Sequence, residues 1–230
     1  VTVAEAQNLV AGWLEQHDVV DPHPSATELI AKAAGFRSPQ DMLARRPASS
    51  PVGLNAAQWD TMRELCRQRA EQHVPVQYLV GEWDFHRISL QMRPPTLIPR
   101  PETEELAEMV LSWLRSAGLV RARVGDRWTR NGSENGDGCE GRVAGLRFLD
   151  VGSGTGAIGL ALLNELPEAT CVAIDAQESA VALSRLNAER TGLQDRYECI
   201  HVDIAGFGRD ARCFDDAFDF VVSNPPYLSR

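Results

Sequence analysis

The chain has 230 residues, of which 43% are hydrophobic and 24% are charged. This composition is typical of a globular protein with one large domain or two modest ones. The net charge of −9 argues against binding to nucleic acid through bulk positive charge. No apolar run approaches the length of a membrane-spanning helix, so we expect no membrane association.

Cysteines and histidines are scattered along the chain. The five cysteines form no Cys-x-x-Cys pair, which predicts reduced, mostly structural thiols in an intracellular compartment. The five histidines are equally dispersed and predict no metal site. The chain begins with Val1 and shows no signal peptide, so we expect a processed or trimmed N-terminus.

Residues 1–74 are predicted to form a helical N-terminal domain. Apolar residues recur at helical spacing through residues 3–14. Candidate caps indicate three further helix starts: Ser25 with Glu28, Ser38 before Pro39, and Asn55. No residue here has a catalytic character, and we expect this part to serve in recognition or docking.

Residues 75–100 are predicted to form a hairpin or linker. Short strands are expected at residues 76–80, 83–85 and 88–92, and Pro94-Pro95 ends the last of them. The side chain of Arg100, which lies between two prolines, is held in a fixed direction, and we expect it to help bind substrate.

A helix is predicted from residue 101 onward. Its first turn contains Glu102, Thr103 and Glu104, which helix capping and the helix dipole explain. One helical face is apolar and is expected to be buried; it comprises Leu106, Met109, Val110, Trp113 and Leu114.

Residues 118–145 are polar and glycine-rich without an apolar period, which predicts a flexible surface insertion. The rest of the domain at 101–230 alternates strands with helices, so we expect an α/β fold with a parallel sheet. Its ligand site is then expected at the carboxyl ends of the strands. The predicted strands are 147–151, 170–174, 197–202 and 218–222, and the predicted helices are 157–166 and 179–189.

A glycine loop directly follows the first of these strands and opens a helix: Asp150-Val151-Gly152-Ser153-Gly154-Thr155-Gly156. Glycines permit a tight turn and the close approach of a ligand, and the helix start favours polar or anionic groups. Asp175 ends the second strand, where a carboxylate can accept both hydroxyls of a ribose. Asp203 ends the third strand, near the expected position of an adenine ring.

The glycine loop alone leaves three alternatives open. Gly154, Gly156 and Gly159 also satisfy the dinucleotide fingerprint, and Asp175 has the matching offset. The loop therefore fits a nicotinamide dehydrogenase, an S-adenosylmethionine enzyme, or a βα turn without a ligand.

The last predicted strand ends in Asn224-Pro225-Pro226-Tyr227, which distinguishes the first two alternatives. Two prolines donate no backbone hydrogen bonds and hold an extended turn. The Asn224 side-chain oxygen and the Pro225 carbonyl are acceptors, and Tyr227 supplies an aromatic face. This set suits the binding of a planar NH2 group, which a methyltransferase needs and a dehydrogenase does not.

These motifs resemble the class I methyltransferases that modify planar nitrogens. Two more stretches narrow the resemblance to the release factor glutamine methyltransferases, the HemK/PrmC family, and most closely to its animal mitochondrial branch. They are Gln77-Tyr78-Leu79-Val80-Gly81-Glu82-Trp83-x-Phe85 and Ile98-Pro99-Arg100-Pro101-Glu102-Thr103-Glu104.

The resemblance implies a Rossmann-like methyltransferase sheet behind a small helical domain that recognises the release factor, with a hairpin linker between them. It implies S-adenosylmethionine as cofactor, with the glycine loop at its methionine part, Asp175 at the ribose, and Asp203 with Ile204 beside the adenine. The implied cofactor-binding residues are Gly152, Ser153, Gly154, Thr155, Gly156, Asp175, Asp203, Ile204 and Asn224. The implied catalytic residues are Asn224, Pro225 and Tyr227, and the implied substrate-binding residues add Pro226 and Arg100.

The implied reaction is N5-methylation of the glutamine in the Gly-Gly-Gln motif of class I peptide chain release factors, without direct contact to nucleic acid. The implied location is mitochondrial, and otherwise cytoplasmic. Two alternatives remain: an N6-adenine or other exocyclic-amine nucleic-acid methyltransferase, and an inactive protein that keeps the cofactor fold. Because the family continues beyond the position of Arg230, we expect a C-terminally truncated sheet.

Overall fold

The computed structural model describes residues 1–119, 145–207 and 218–225, together with the backbone of two short strands at 122–124 and 127–129. Most of the predicted insertion at 118–145 lies outside these residues, as do Pro226 and Tyr227. The chain divides into two compact units, Val1–Glu82 and Trp83–Arg230. The division into a helical domain at 1–74, a linker at 75–100 and a further domain at 101–230 remains a prediction.

The first unit is helical, as predicted. Its buried side chains form one apolar core, in which Leu14, Leu29 and Met42 are fully enclosed. Its helices are α1 (Val3–Glu15), α2 (Pro22–Ala34), α3 (Pro39–Arg45), α4 (Ala56–Glu71) and α5 (Val76–Val80).

Two of the predicted helix starts are confirmed. The Ser38 hydroxyl accepts the Asp41 N–H, and Asn55 forms a capping box with Gln58 at the start of α4. The capping box predicted at Ser25 is wrong, because α2 already begins at Pro22 and Ser25 is buried inside it.

The strand predicted at residues 76–80 is also wrong, since these residues form α5. Val76 and Leu79 pack against the helical core of this unit. Tertiary packing therefore outweighs the strand preference of a short run with β-branched residues.

The second unit is an α/β fold, as predicted. Its main sheet has the strand order β7-β6-β5-β8, and all of its pairings are parallel. Two antiparallel hairpins, β1-β2 and β3-β4, precede it. The strands are β1 (Glu82–Phe85), β2 (Ile88–Gln91), β3 (Ala122–Val124), β4 (Arg127–Thr129), β5 (Arg147–Val151), β6 (Thr170–Asp175), β7 (Tyr197–His201) and β8 (Phe220–Ser223).

The helices predicted for this unit lie close to their observed positions, which are α6 (Pro101–Ser116), α7 (Ala157–Glu165) and α8 (Glu178–Thr191). The short helix α9 (Ile204–Phe207) and a 3-10 turn at Gln194–Arg196 were not predicted. Helix α7 is almost wholly buried, which is expected of a crossover helix packed on a parallel sheet.

The buried face of α6 differs from the predicted one. Met109 and Trp113 are 69% and 52% exposed, whereas Leu114 is buried as expected. Helix α6 packs against α7, and its buried residues are Thr103, Ala107, Leu111 and Leu114. Tertiary packing, rather than the predicted apolar stripe, therefore determines which face is buried.

Candidate functional site

The pairing register of the sheet brings three predicted site residues together at its carboxyl edge. Val151 of β5 pairs with Ile174 of β6 and with Ser223 of β8. Adjacent strands lie roughly 4.8 Å apart, so the next residue on each strand is a close neighbour of the other two. These three residues are Gly152, Asp175 and Asn224.

The amides of the glycine loop are largely engaged within the protein. The N–H groups of Gly152 and Ser153 both donate to the Ile174 carbonyl, at 2.9 and 3.1 Å. The Gly156 N–H donates to the Ser153 carbonyl at 2.8 Å. A pyrophosphate site needs amides that point at the ligand, so this arrangement disfavours the dinucleotide alternative.

The Asp175 carboxylate supports the loop and faces its outer side. Oδ2 accepts the Gly154 N–H and Oδ1 accepts the Gln177 N–H, both at 2.9 Å. Each carboxylate oxygen can accept a further hydrogen bond, and the residue is only half-buried. The pair of oxygens therefore suits two neighbouring hydroxyl groups, such as those of a ribose.

The two faces of the loop have opposite surroundings. A Cβ atom built on Gly152 would meet no atom within 4 Å, whereas one on Gly156 would lie 3.0 Å from Leu160 Cδ1 and 3.1 Å from Tyr197 Oη. Both glycines have φ values in the left-handed region, +74° and +81°. The Gly152 face therefore has room for a ligand, and the Gly156 face is packed against the core.

Ser153 and Thr155, two of the predicted cofactor residues, have buried side chains. Ser153 Oγ lies 3.6 Å from Cys199 Sγ, and Thr155 is 2% exposed. Their side chains thus belong to the core beneath the loop, and only their backbone atoms can line its outer face.

Asn187 on α8 is a positioning residue that the sequence analysis missed. Its Nδ2 donates to the Thr155 carbonyl at 2.9 Å, and its side chain also pairs with the N–H and carbonyl of Gln91. This fully buried amide ties the glycine loop to β2. A polar residue on the buried stripe of a helix is a signal that could have identified it.

Asp150 is a second buried residue beneath the loop. It is 1% exposed; its Oδ2 accepts the Gly159 N–H at 3.0 Å, while its Oδ1 has no hydrogen-bond partner in the described part of the chain. Burial raises the pKa of Asp150 to about 7, opposed by the Gly159 hydrogen bond and reinforced by the charge of Asp175.

The predicted adenine-side residues lie at the end of β7, beyond β6. Asp203 is exposed and caps α9 by accepting the Gly206 N–H. Ile204 is 59% exposed. Because β6 lies between β7 and β5, these two residues are on the side of Asp175 that faces away from Asn224.

The predicted substrate residues are only partly described. Asn224 is half-buried, and its Nδ2 donates to Thr103 Oγ1 at 2.9 Å. Pro225 and Arg100 are exposed, and Arg100 occupies the N-cap position of α6 without a side-chain capping bond. The capping role predicted for Thr103 is wrong, because its buried hydroxyl contacts Asn224 instead.

Three further observations concern metal ligands, membrane-spanning helices and thiols among the described residues. Within the ranges 1–119, 145–207 and 218–225, no group of three or more His, Cys, Asp or Glu side chains could hold a metal ion. In the same ranges, no helix has the length and apolarity to cross a membrane. Cys66, Cys171 and Cys199 are buried free thiols, as predicted, whereas Cys139 and Cys213 lie outside the described residues.

Comparison with known proteins shows sequence similarity to methyltransferases. Residues 142–230 match the family model described as "Methyltransferase small domain". The human protein named "MTRF1L release factor glutamine methyltransferase" is 36% identical over 98% of this chain and 61% of its own length. This chain is thus similar in sequence to proteins named release factor glutamine methyltransferase. A release factor glutamine methyltransferase of Agrobacterium fabrum is 33% identical over 94% of this chain and 63% of its own length.

This chain therefore spans about three fifths of the length of these two release factor glutamine methyltransferases. Among solved structures, one titled "Human methyltransferase 10 domain containing protein" is similar with a TM-score of 0.43 and 19% identity. That similarity covers 62% of this chain and 56% of the other.

The raised pKa of Asp150 makes stability depend on pH. The folded chain binds the Asp150 proton up to about pH 7, whereas the unfolded chain releases it near pH 4, so folding becomes less favourable as pH rises between these values. We expect the free energy of unfolding to fall, relative to Asp150→Asn, by at most about 4 kcal/mol over this window. Urea unfolding of both proteins at pH 4.5 and at about pH 7.5 measures the change. If the difference in unfolding free energy between the wild type and Asp150→Asn were the same at both pH values, the raised pKa of Asp150 would be contradicted.

Proposed function

We propose that the protein is an S-adenosylmethionine-dependent methyltransferase that modifies the glutamine side-chain nitrogen in the Gly-Gly-Gln motif of class I peptide chain release factors. The printed names of the relatives support this substrate. The observation that supports it best is the common register of Gly152, Asp175 and Asn224, because it joins a cofactor loop to an amide-binding side chain.

The residues present fit S-adenosylmethionine. The Asp175 carboxylate would accept the ribose hydroxyls, and the open face of Gly152 leaves room for the methionine part. Asp203 and Ile204 would flank the adenine beyond β6. When bound, this cofactor supplies a methyl group on a positively charged sulfur.

The protein's contribution to the reaction is the orientation of a poor nucleophile. An amide nitrogen shares its lone pair with the carbonyl group, so it needs a fixed direction of approach. The Asn224 Oδ1 and the Pro225 carbonyl would accept the two hydrogens of the glutamine amide. Tyr227 would pack on the amide plane, as the resemblance implies, and Arg100 would contact the substrate near the start of α6.

We also propose that the release factor is the protein partner and that the helical unit recognises it, as the resemblance to the family implies. The same resemblance, to the animal mitochondrial branch, supports a mitochondrial location. The exocyclic amine of adenine is a planar NH2 group as well, and nucleic acid therefore belongs in the test as a competing substrate.

Two alanine substitutions in the glycine loop separate cofactor binding from folding. Both place a side chain on left-handed backbone, which costs about 1–2 kcal/mol. Gly152→Ala fills the open face, and we expect about tenfold weaker binding of S-adenosylhomocysteine by calorimetry. Gly156→Ala overpacks the core, and we expect it to lose about 1–3 kcal/mol more of unfolding free energy. Equal stability of the two variants would contradict this assignment of faces.

Transfer of labelled methyl groups from S-adenosylmethionine tests the proposed activity. We expect label on a class I release factor, and none on its Gly-Gly-Gln variant with Gln→Ala or on duplex DNA. We expect Asn224→Ala to lower transfer by about 100-fold or more, because it removes an acceptor aimed at the reacting amide.

Asn164→Ala is the matched control for this substitution. Asn164 is also half-buried, but it lies near the end of α7, remote from the carboxyl edge of the sheet, and its Nδ2 donates to Glu165. We expect this variant to keep its transfer rate. Label on DNA would move the function to base methylation, and no label on any substrate would leave an inactive cofactor fold.

A further inference from the structure

The Thr103 side chain connects two motifs that are 121 residues apart. Its hydroxyl accepts the Nδ2 hydrogen bond of Asn224 at 2.9 Å. Thr103 is 5% exposed, although it lies in the first turn of α6, where an ordinary capping residue would face solvent. The Thr103 end of this contact is therefore buried, whereas Asn224 is half-buried.

The backbone around Thr103 is held firmly. Pro101 occupies the first position of α6, and the Thr103 N–H donates to the Arg100 carbonyl at 2.9 Å. Ala107 and Leu111 follow on the same face and are 0% and 1% exposed. The hydroxyl consequently projects from an anchored turn and gives Asn224 a fixed partner.

The chain just before α6 also borders the glycine loop. A Cβ built on Gly154 would lie 4.0 Å from Thr96 Cγ2, and Thr96 is 3% exposed. Within the stretch 96–103, Thr96 thus lies beside the glycine loop and Thr103 is hydrogen-bonded to Asn224. One continuous stretch therefore contacts both the loop after β5 and the end of β8.

In the structure, the Nδ2 end of the Asn224 amide is the end that contacts Thr103. Rotation about the last bond of an Asn side chain is broad and roughly two-fold, and its oxygen and nitrogen ends are nearly equal in shape. With Nδ2 directed at Thr103, Oδ1 is directed to the other side of the amide. The opposite orientation would present an NH2 group to a substrate NH2 group, and two donors cannot pair.

We propose that Thr103 is a positioning residue that orients Asn224 to accept a hydrogen bond from the substrate amide. This inference rests on the proposed methyl transfer to an amide nitrogen. Thr103 acts through Asn224 and does not itself contact the reacting atoms.

Kinetics of Thr103→Val, which keeps the shape and removes the hydroxyl, test the proposal. We expect kcat for the release factor to fall about 10- to 100-fold, because a misdirected amide misplaces the nucleophile. The KM for S-adenosylmethionine should stay close to that of the wild type, and the melting temperature should fall by only a few degrees, as expected for the loss of about one hydrogen bond. Thr103→Ser restores the hydroxyl and should recover most of the rate.

Thr191→Val is the matched control, because the Thr191 hydroxyl donates to the carbonyls of Asn187 and Ala188 in its own helix, α8. It should leave kcat unchanged. A wild-type rate in Thr103→Val would overturn the positioning role while leaving the methyltransferase proposal intact. An equal loss in Thr103→Ser and Thr103→Val would also overturn it, since the hydroxyl would then not matter.

A second measurement does not depend on methyl transfer. The side-chain NH2 signals of Asn224, assigned by their loss in Asn224→Ala, report its hydrogen bond in NMR spectra of the full chain. We expect Thr103→Val to speed their exchange with water by about tenfold or more, whereas Thr191→Val leaves it unchanged. Unaltered exchange in Thr103→Val would overturn the proposal even if the wild type transfers no methyl group.

Discussion

The site depends on one constraint, the pairing of Val151 in β5 with Ile174 of β6 and with Ser223 of β8. Parallel strands end at one edge, and the register determines which residues meet there. The Ser223 hydroxyl adds a bond of 2.8 Å to the Val151 carbonyl, which holds β8 against β5 at this point. A shift by one residue would turn Asp175 or Asn224 to the opposite face of the sheet.

Much of the α/β unit could be predicted from the sequence, because its signals are local. Buried strands appear as short apolar runs, and the glycine loop marks the turn into α7. Asp175 follows from its position at a strand end. Asn187 could not be assigned a partner in this way, because its partners Thr155 and Gln91 are distant in sequence and only tertiary packing brings them together.

Three of the wrong predictions share one cause, since in each the tertiary context outweighed a local pattern. The run 76–80 is rich in strand-forming residues, yet it packs as a helix on the first unit. The apolar residues Met109 and Trp113 face outward, whereas the smaller Thr103 and Ala107 of the same helix are buried. Thr103 has the spacing of a cap, and only the folded chain reveals its bond to Asn224.

A crystal structure with S-adenosylhomocysteine tests the central claim most directly, namely that one edge of the sheet holds the cofactor beside an amide-binding side chain. The account predicts ribose hydroxyls about 3 Å from the Asp175 carboxylate. It also predicts that the sulfur atom lies over Gly152, on the side of Asn224. A ribose bound away from Asp175, or a sulfur directed away from Asn224, would contradict the account.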